Sequence, residues 1–332
     1  MALERLKSTY GKGAASHDGH NTSSNLAIID IGSRGVKLEI REAQTLSVKY
    51  KTAKTCSLAN NLKHTGKLCP DGKEKTFSTL SAFKDIIQAH NIPSEQVRVI
   101  GTAQFRNATD GPEFQTEIKE KLGFEVEIIS GEQEANYVAQ AINNKYPNAS
   151  GMSADLGGGS LDINVIENGK IVSGASTSLP LGTLIIQSMI EEHGKDYTKA
   201  HILEQLADLP EPFQNTDVLF PSGGALRFFN RSFADMHAFK LKNFSEQSVV
   251  LASTFNNFSN QIASDPAHQK NRRDLYESRL VLNLLQQHFQ FKEHVLLDTN
   301  MRDGIFAEMQ GQQNKGAPSG GAPMQILTQD KI

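Results

Sequence analysis

The sequence predicts an α/β protein made of two related domains that face each other across a cleft. Three observations lead there. Strand-like and helix-like segments alternate along the chain. Its 332 residues are about twice a usual domain of roughly 150. A hairpin pattern also recurs: IIDIGSRGVKLEI (28–40) and SADLGGGSLDINV (153–165) share a strand, an Asp, an apolar residue, a Gly, a turn of small residues and an alternating strand. Asp30 and Asp155 stand 125 positions apart, close to one domain length. Coincidence between two short hairpins is the alternative to duplication.

The elements follow in order. Residues 26–29 form a short apolar run ending in Asp30-Ile31-Gly32-Ser33, and Val36, Leu38 and Ile40 then alternate with charged residues as a strand does. Phe77, Leu80, Phe83 and Ile87 lie on one face of a helix over 76–90. Strands are expected at 97–100 and 123–129, and Ser130-Gly131-Glu132 opens a helix to about Asn143. Strands at 152–156 and 161–166 flank Gly157-Gly158-Gly159-Ser160. Helices near 183–193, 199–208 and 274–290 and short strands near 218–220 and 295–297 complete the pattern. This reading divides the chain into a tail (1–24), an N-terminal domain (25–136), a C-terminal domain (137–309) and a flexible Gln/Gly/Pro-rich tail (310–332).

Composition excludes several classes. A net charge of −3 gives no global field for DNA, RNA or a membrane, so any polyanion site must be a local patch. No run of 18 apolar residues occurs, and the polar first 24 residues lack the apolar stretch of a signal peptide, so a cytoplasmic protein is expected. Cys56 and Cys69 fit no disulfide scaffold or zinc ribbon and read as thiols. His64, His90, His201 and His288 stand alone, without metal-ligand spacing.

The chemistry concentrates at the glycine turns. Without side chains at Gly157, Gly158 and Gly159, successive backbone N–H groups can converge on an anion, and Ser160 adds a hydroxyl. Asp155, just before the turn, could hold a divalent cation against a phosphate. The alternative is a tight hairpin that needs glycine for a left-handed backbone. Neither a P-loop nor a dinucleotide glycine motif is present.

Seven segments in register resemble the exopolyphosphatase / guanosine pentaphosphate phosphohydrolase family, within the actin-like, sugar-kinase and heat-shock ATPase superfamily. They are IIDIGSRGVKLEI, GTAQFRNATDGPEF (101–114), IISGEQEA (128–135), DLGGGSLD (155–162), SLPLG (178–182), PSGGALR (221–227) and MRDGIF (301–306). The resemblance implies two ribonuclease H-like (actin-like ATPase) domains flanking a central cleft. It also implies a hydrolase that removes terminal phosphate from inorganic polyphosphate, guanosine pentaphosphate or both. Glu134 would activate the attacking water; otherwise it is an ordinary first-turn acid favoured by the helix dipole. Gly32, Ser33, Arg34, Arg106, Gly157, Gly158, Gly159, Ser160, Gly223 and Gly224 would bind phosphate, and Asp30, Asp155 and Asp162 would hold Mg²⁺ or another divalent cation. Arg106 otherwise reads as a surface arginine capping a loop. Lys37 and Arg302 would steer the polyanion, and the basic run Lys270-Asn271-Arg272-Arg273 reads as a solvated helix start or a contact for a long substrate. The resemblance further implies the short, two-domain form and a homodimer.

Three departures from the family pattern stand out. Asp162 replaces the usual Glu and is one methylene shorter, Arg34 replaces an Asn, and Glu277-Ser278-Arg279 replaces a small residue in the helix after 274. They motivate a second reading, a catalytically weakened relative that binds polyphosphate or guanosine tetraphosphate as a regulatory protein. A third reading is an ATPase or sugar kinase on the shared fold.

Overall fold

The computed structural model describes residues 25–60, 62–241, 245–271 and 274–316. The expected N-terminal tail and residues 317–332 of the expected C-terminal tail lie outside them, as do Arg272 and Arg273 of the basic run. The first half runs β1 (Asn25–Ile31), β2 (Gly35–Glu42), β3 (Val48–Thr55), α1 (Leu62–Thr65), α2 (Pro70–Ala89), β4 (Val97–Gly101), α3 (Ala103–Asn107), α4 (Gly111–Leu122), β5 (Val126–Ile128) and α5 (Gly131–Lys145). The second half runs β6 (Gly151–Leu156), β7 (Leu161–Glu167), β8 (Lys170–Leu179), α6 (Thr183–His193), α7 (Lys195–Ala207), β9 (Val218–Ser222), α8 (Gly223–Met236), β10 (Val249–Leu251), α9 (Ala252–Ser264), α10 (Pro266–Asn271), α11 (Leu275–Phe289), β11 (Glu293–Val295) and α12 (Met301–Gly316).

The duplication seen in the hairpins extends through both sheets. The first has the order β3-β2-β1-β4-β5 and the second, read the same way, β8-β7-β6-β9-β11, with β10 added at its edge. In each, three antiparallel strands precede a parallel one laid beside the first strand. The protein is therefore α/β, with two sheets of one topology.

Each sheet has its own apolar core: Ile29, Leu38, Phe83 and Phe114 in the first half, Ile163, Leu226, Phe255 and Leu285 in the second. A third cluster joins the halves, bringing Ile28 and Ile100 of the first sheet together with Ile166 and Phe220 of the second, around Val138 and Ile142 of α5 and Ile305 and Phe306 of α12. α5 and α12 thus cross between the sheets. The boundary expected between 136 and 137 falls inside α5, which packs on β7 and β8. The tail expected from 310 begins inside α12, whose helix continues through Gly316.

Periodicity missed β3 and β8, because both are edge strands. An edge strand has one neighbour and half its surface in water, so VKYKTAKT shows no apolar alternation. α2 starts six residues before the expected position, at Pro70. Its first turn, PDGK, carries no apolar stripe, but Pro at the helix start fixes the backbone there.

Candidate active site

The two glycine turns have the same backbone. Gly32 N–H donates to the Gly35 carbonyl (2.9 Å), and Gly157 N–H donates to the Ser160 carbonyl (3.0 Å). Asp30 stands opposite Lys37 in the first hairpin, and Asp155 opposite Asp162 in the second. The turns meet at the bottom of the cleft. A Cβ on Gly158 would lie 3.1 Å from Ser33 Cβ, and one on Gly159 would lie 3.0 Å from Ala103 Cβ. None of Gly157, Gly158 and Gly159 has a positive φ. At Gly158 and Gly159 the other half of the chain comes close against any side chain, and the hairpin needs no left-handed residue at any of the three. Gly223 is a different case. Its φ is +84°, and a Cβ would fall 2.3 Å from the Leu156 carbonyl oxygen, so the start of α8 is pressed against the end of β6.

These turns enclose a cavity of about 290 Å³. Gly32, Ser33 and Arg34 line one side, and Gly157, Gly158, Gly159 and Ser160 the other. Asp30, Glu134, Asp155, Gly223 and Gly224 complete the sequence-predicted set within it. Arg106 and Asp162 do not line it; they stand behind Glu134 and Ser160 respectively. Across the cleft, Arg34 donates to the Thr183 hydroxyl (3.1 Å). Farther out, Lys63 pairs with Glu192 (2.9 Å).

Glu134 sits in the first turn of α5. The helix opens with a reciprocal capping box, in which Gln133 N–H donates to Ser130 Oγ (3.0 Å) and Ser130 N–H donates to Gln133 Oε1 (2.8 Å). Its side chain is 13% exposed, and Oε2 has no hydrogen-bond partner. Burial drives its carboxyl well above the usual range, and the neighbouring charges of Asp162 and Asp155 push the same way. Arg106, 3.7 Å away, opposes that rise; its Nη1 donates to the Ile129 carbonyl (2.5 Å). Arg106, expected to contact phosphate, stands here beside the candidate base.

Asp155 faces the cavity and accepts a hydrogen bond from Ser222 Oγ (3.0 Å), while burial raises its pKa. Asp162 accepts from Ser160 Oγ (2.9 Å), leaves Oδ1 unpartnered, and is pushed by burial up to about 7. Asp30 behaves in the opposite way. Burial would raise it, but Lys37 (3.1 Å) and Arg302 (2.7 Å) share its Oδ2 and hold it below the usual range. Arg302 also pairs with Glu39 (3.1 Å), which pairs with Arg41, which pairs with Asp303 (2.5 Å). Arg302 is therefore a buried brace between β1, β2 and α12 rather than a free cation steering substrate. Asp30 is its counter-ion rather than an open metal ligand.

Among the described residues, no three or more His, Cys, Asp or Glu side chains gather closely enough to hold a metal ion by themselves. The expected trio of Asp30, Asp155 and Asp162 does not assemble. A hard cation of the Mg²⁺ kind does fit a smaller set. It commonly takes one or two carboxylates and completes its shell with water and substrate phosphates. Asp155 on the cavity wall, beside the Glu134 oxygen that accepts no hydrogen bond, offers such donors.

Several residues in or near the cavity had no role in the sequence reading. Thr183 follows the recognised segment SLPLG and holds Arg34, and Ser222 lies inside PSGGALR and holds Asp155. Arg227 lies one turn into α8, at the end of PSGGALR, and lines the cavity. Glu277 is 8% exposed. Burial raises its carboxyl, and a bond from its own backbone and the Arg34 charge oppose the rise.

The fold and this cleft define an α/β protein of two sheets of one topology, with paired glycine turns between them. The chain belongs to the Ppx/GppA phosphatase family, whose sequence model matches residues 39–286. A guanosine-5'-triphosphate,3'-diphosphate pyrophosphatase of Photobacterium profundum is 33% identical over 177 residues, 51% of this chain and 33% of that protein. The corresponding protein of Vibrio cholerae is 30% identical over the same span. The matched region thus covers about a third of those relatives' length. In fold, the chain is similar to the Ppx/GppA family member of Aquifex aeolicus (20% identity, TM-score 0.67, 89% of this chain and 99% of that one). It is also similar to an exopolyphosphatase from Cytophaga hutchinsonii (15% identity, TM-score 0.72, 87% and 98%).

Proposed function

We propose that the protein is a phosphohydrolase that removes the terminal phosphate from inorganic polyphosphate, guanosine pentaphosphate or both. The observation that carries this reading is Glu134: a buried carboxyl with one unpartnered oxygen, in the same cavity as both glycine turns. The terminal phosphoryl group lies between the turns. Water attacks its phosphorus, a new P–O bond forms as the bridging P–O bond breaks, and Glu134 takes the proton from the water. The shortened chain leaves with the bridging oxygen. Ser33 and Ser160, with the backbone of the two turns, orient the phosphoryl oxygens, and Arg106 favours the ionised form of Glu134. Mg²⁺ held by Asp155 would neutralise phosphoryl charge when bound. Asp162, behind Ser160, positions that hydroxyl rather than meeting the cation directly.

In this reading the protein acts in the cytoplasm and, like the family it resembles, as a homodimer; among the described residues no helix is long and apolar enough to cross a membrane. The test is release of orthophosphate from each substrate in the presence of Mg²⁺. Glu134→Gln lowers kcat by about 10²–10⁴-fold, the usual contribution of a positioned base. Equal rates for the two proteins remove the hydrolase assignment. One observation favours the regulatory reading: Asp162 stops short of the cavity wall. Tight ligand binding without turnover, and a gain of turnover in Asp162→Glu, would select it.

A further inference from the structure

Each glycine turn carries a serine, and each serine spends its proton away from the cavity. Ser33 Oγ donates to Gln104 Oε1 (3.4 Å), and Ser160 Oγ donates to Asp162 Oδ2 (2.9 Å). Both acceptors are 1% exposed and neither lines the glycine-lined cavity, so each bond is made on the buried side of its turn. The amide fixes the direction of the first bond. Gln104 Nε2 donates to the Ile31 carbonyl, which leaves Oε1 towards the hydroxyls, and Thr102 Oγ1 donates to that same oxygen (3.1 Å). An ionised carboxylate only accepts, which fixes the direction of the second. A hydroxyl has one proton and two lone pairs. With the proton committed, both serines offer the cavity lone pairs alone.

The backbone of the turns has the opposite polarity. Gly32 and Gly157 use their N–H groups to close the turns, but among the described residues those of Ser33, Gly158 and Gly159 donate to no backbone carbonyl, and all three residues line the cavity. A phosphoryl oxygen accepts hydrogen bonds and suits these N–H groups. It is repelled by a hydroxyl oxygen whose proton points elsewhere. A hard cation suits hydroxyl and carboxylate oxygens, and Asp155 lines the cavity together with both serines. We infer that Ser33 and Ser160 are ligands of the cation, directly or through its water, and that Gln104 and Asp162 are positioning residues that hold them so. The share of the serines in orienting the phosphoryl oxygens then runs through the cation, while the backbone N–H groups take the phosphate itself. The inference rests on the proposed reading of this cavity as a site for phosphate with its cation, not on turnover.

Binding tests it without catalysis. Calorimetry with Mn²⁺ alone, and separately with tripolyphosphate in the presence of a chelator, reads the cation and the phosphate parts of the site. Ser33→Ala and Ser160→Ala each weaken Mn²⁺ about tenfold, the low end of what losing an oxygen that supports a metal costs, and leave tripolyphosphate unchanged. Gln104→Met removes the acceptor behind Ser33 and frees its proton to turn inward. That protein binds Mn²⁺ more weakly and tripolyphosphate more tightly, a gain that a merely loosened turn does not give. Unchanged Mn²⁺ affinity in the serine variants overturns the inference, and weaker tripolyphosphate in them makes the hydroxyls phosphate donors instead. Loss of both ligands in Gln104→Met overturns the positioning role of Gln104. Mn²⁺ binding that depends on the serines, in a wild-type protein that releases no orthophosphate, sinks the hydrolase reading alone and leaves the cation ligands in place.

Discussion

The hairpin of β1 and β2 and the hairpin of β6 and β7 each place an aspartate two residues before the same closed turn, but the residue opposite is Lys37 in one and Asp162 in the other. That single difference in charge separates their chemistry. In the first hairpin the cations of Lys37 and Arg302 overcome burial and hold Asp30 ionised. In the second, no cation faces Asp162 across the strands, and burial raises both Asp155 and Asp162. The duplicated element became a brace on one side of the cleft and a wall of buried carboxyls with raised pKa on the other. Identical backbone therefore does not imply identical work, and the expected equivalence of Asp30 and Asp155 as metal ligands fails for that reason.

The same substitution in the two hairpins should give opposite results. Asp30→Asn leaves Arg302 buried with one counter-ion fewer, and uncompensated buried charge costs about 3 kcal/mol. The midpoint of chemical denaturation at pH 7 should fall accordingly. An Asp30→Asn protein as stable as wild type would show that the brace is not where the first hairpin's stability lies.

Asp162→Asn should instead stabilise. A carboxyl raised in the fold from its ordinary value to about 7 contributes stability that is complete below about pH 4 and lost as pH rises through about 7. Asn carries no charge to bury, so the variant gains on the order of 2–4 kcal/mol at pH 8, in the presence of a chelator, and little at pH 4. Asp30 has the reverse sign: its folded pKa is depressed, so its contribution is present above the unfolded value and is lost as pH falls. Denaturation midpoints across pH 4 to 8 measure both slopes. A flat difference between wild type and Asp162→Asn would mean that Asp162 is ionised in the fold without cost.

Much of this was legible in the chain. The matched spacing of Asp30 and Asp155 fixed both hairpins and the duplicated topology, because a turn closed on small residues between apolar strands leaves a local signature. The helix that carries Glu134 was legible for the same reason, since Ser130 and Gln133 form a local capping box. What failed was non-local. The pairing of Arg302 with Asp30 spans 272 positions, and nothing near either residue announces it. α5 reads as the end of the first domain because sequence order is visible and packing on β7 and β8 is not. A chamber of about 1040 Å³ beside Arg227 is lined from four separate stretches of chain, so no motif could mark it.

Arg106 gives the finest test of the comparison, because it is the cation that the second hairpin borrows from the other half of the chain. It lies 3.7 Å from Glu134 and opposes the rise in the Glu134 pKa that burial, Asp162 and Asp155 produce. Removing that charge in Arg106→Gln raises the pKa further. Fewer molecules then hold the ionised base at acid pH, so the acidic limb of the pH profile of kcat moves to higher pH. The rate should fall about tenfold at pH 6 and little at pH 9. A phosphate contact, the role implied by the family resemblance, predicts something else: a higher KM at every pH and an acidic limb that stays in place. The two outcomes separate cleanly, and the second would mean that Arg106 turns into the cavity when substrate is bound.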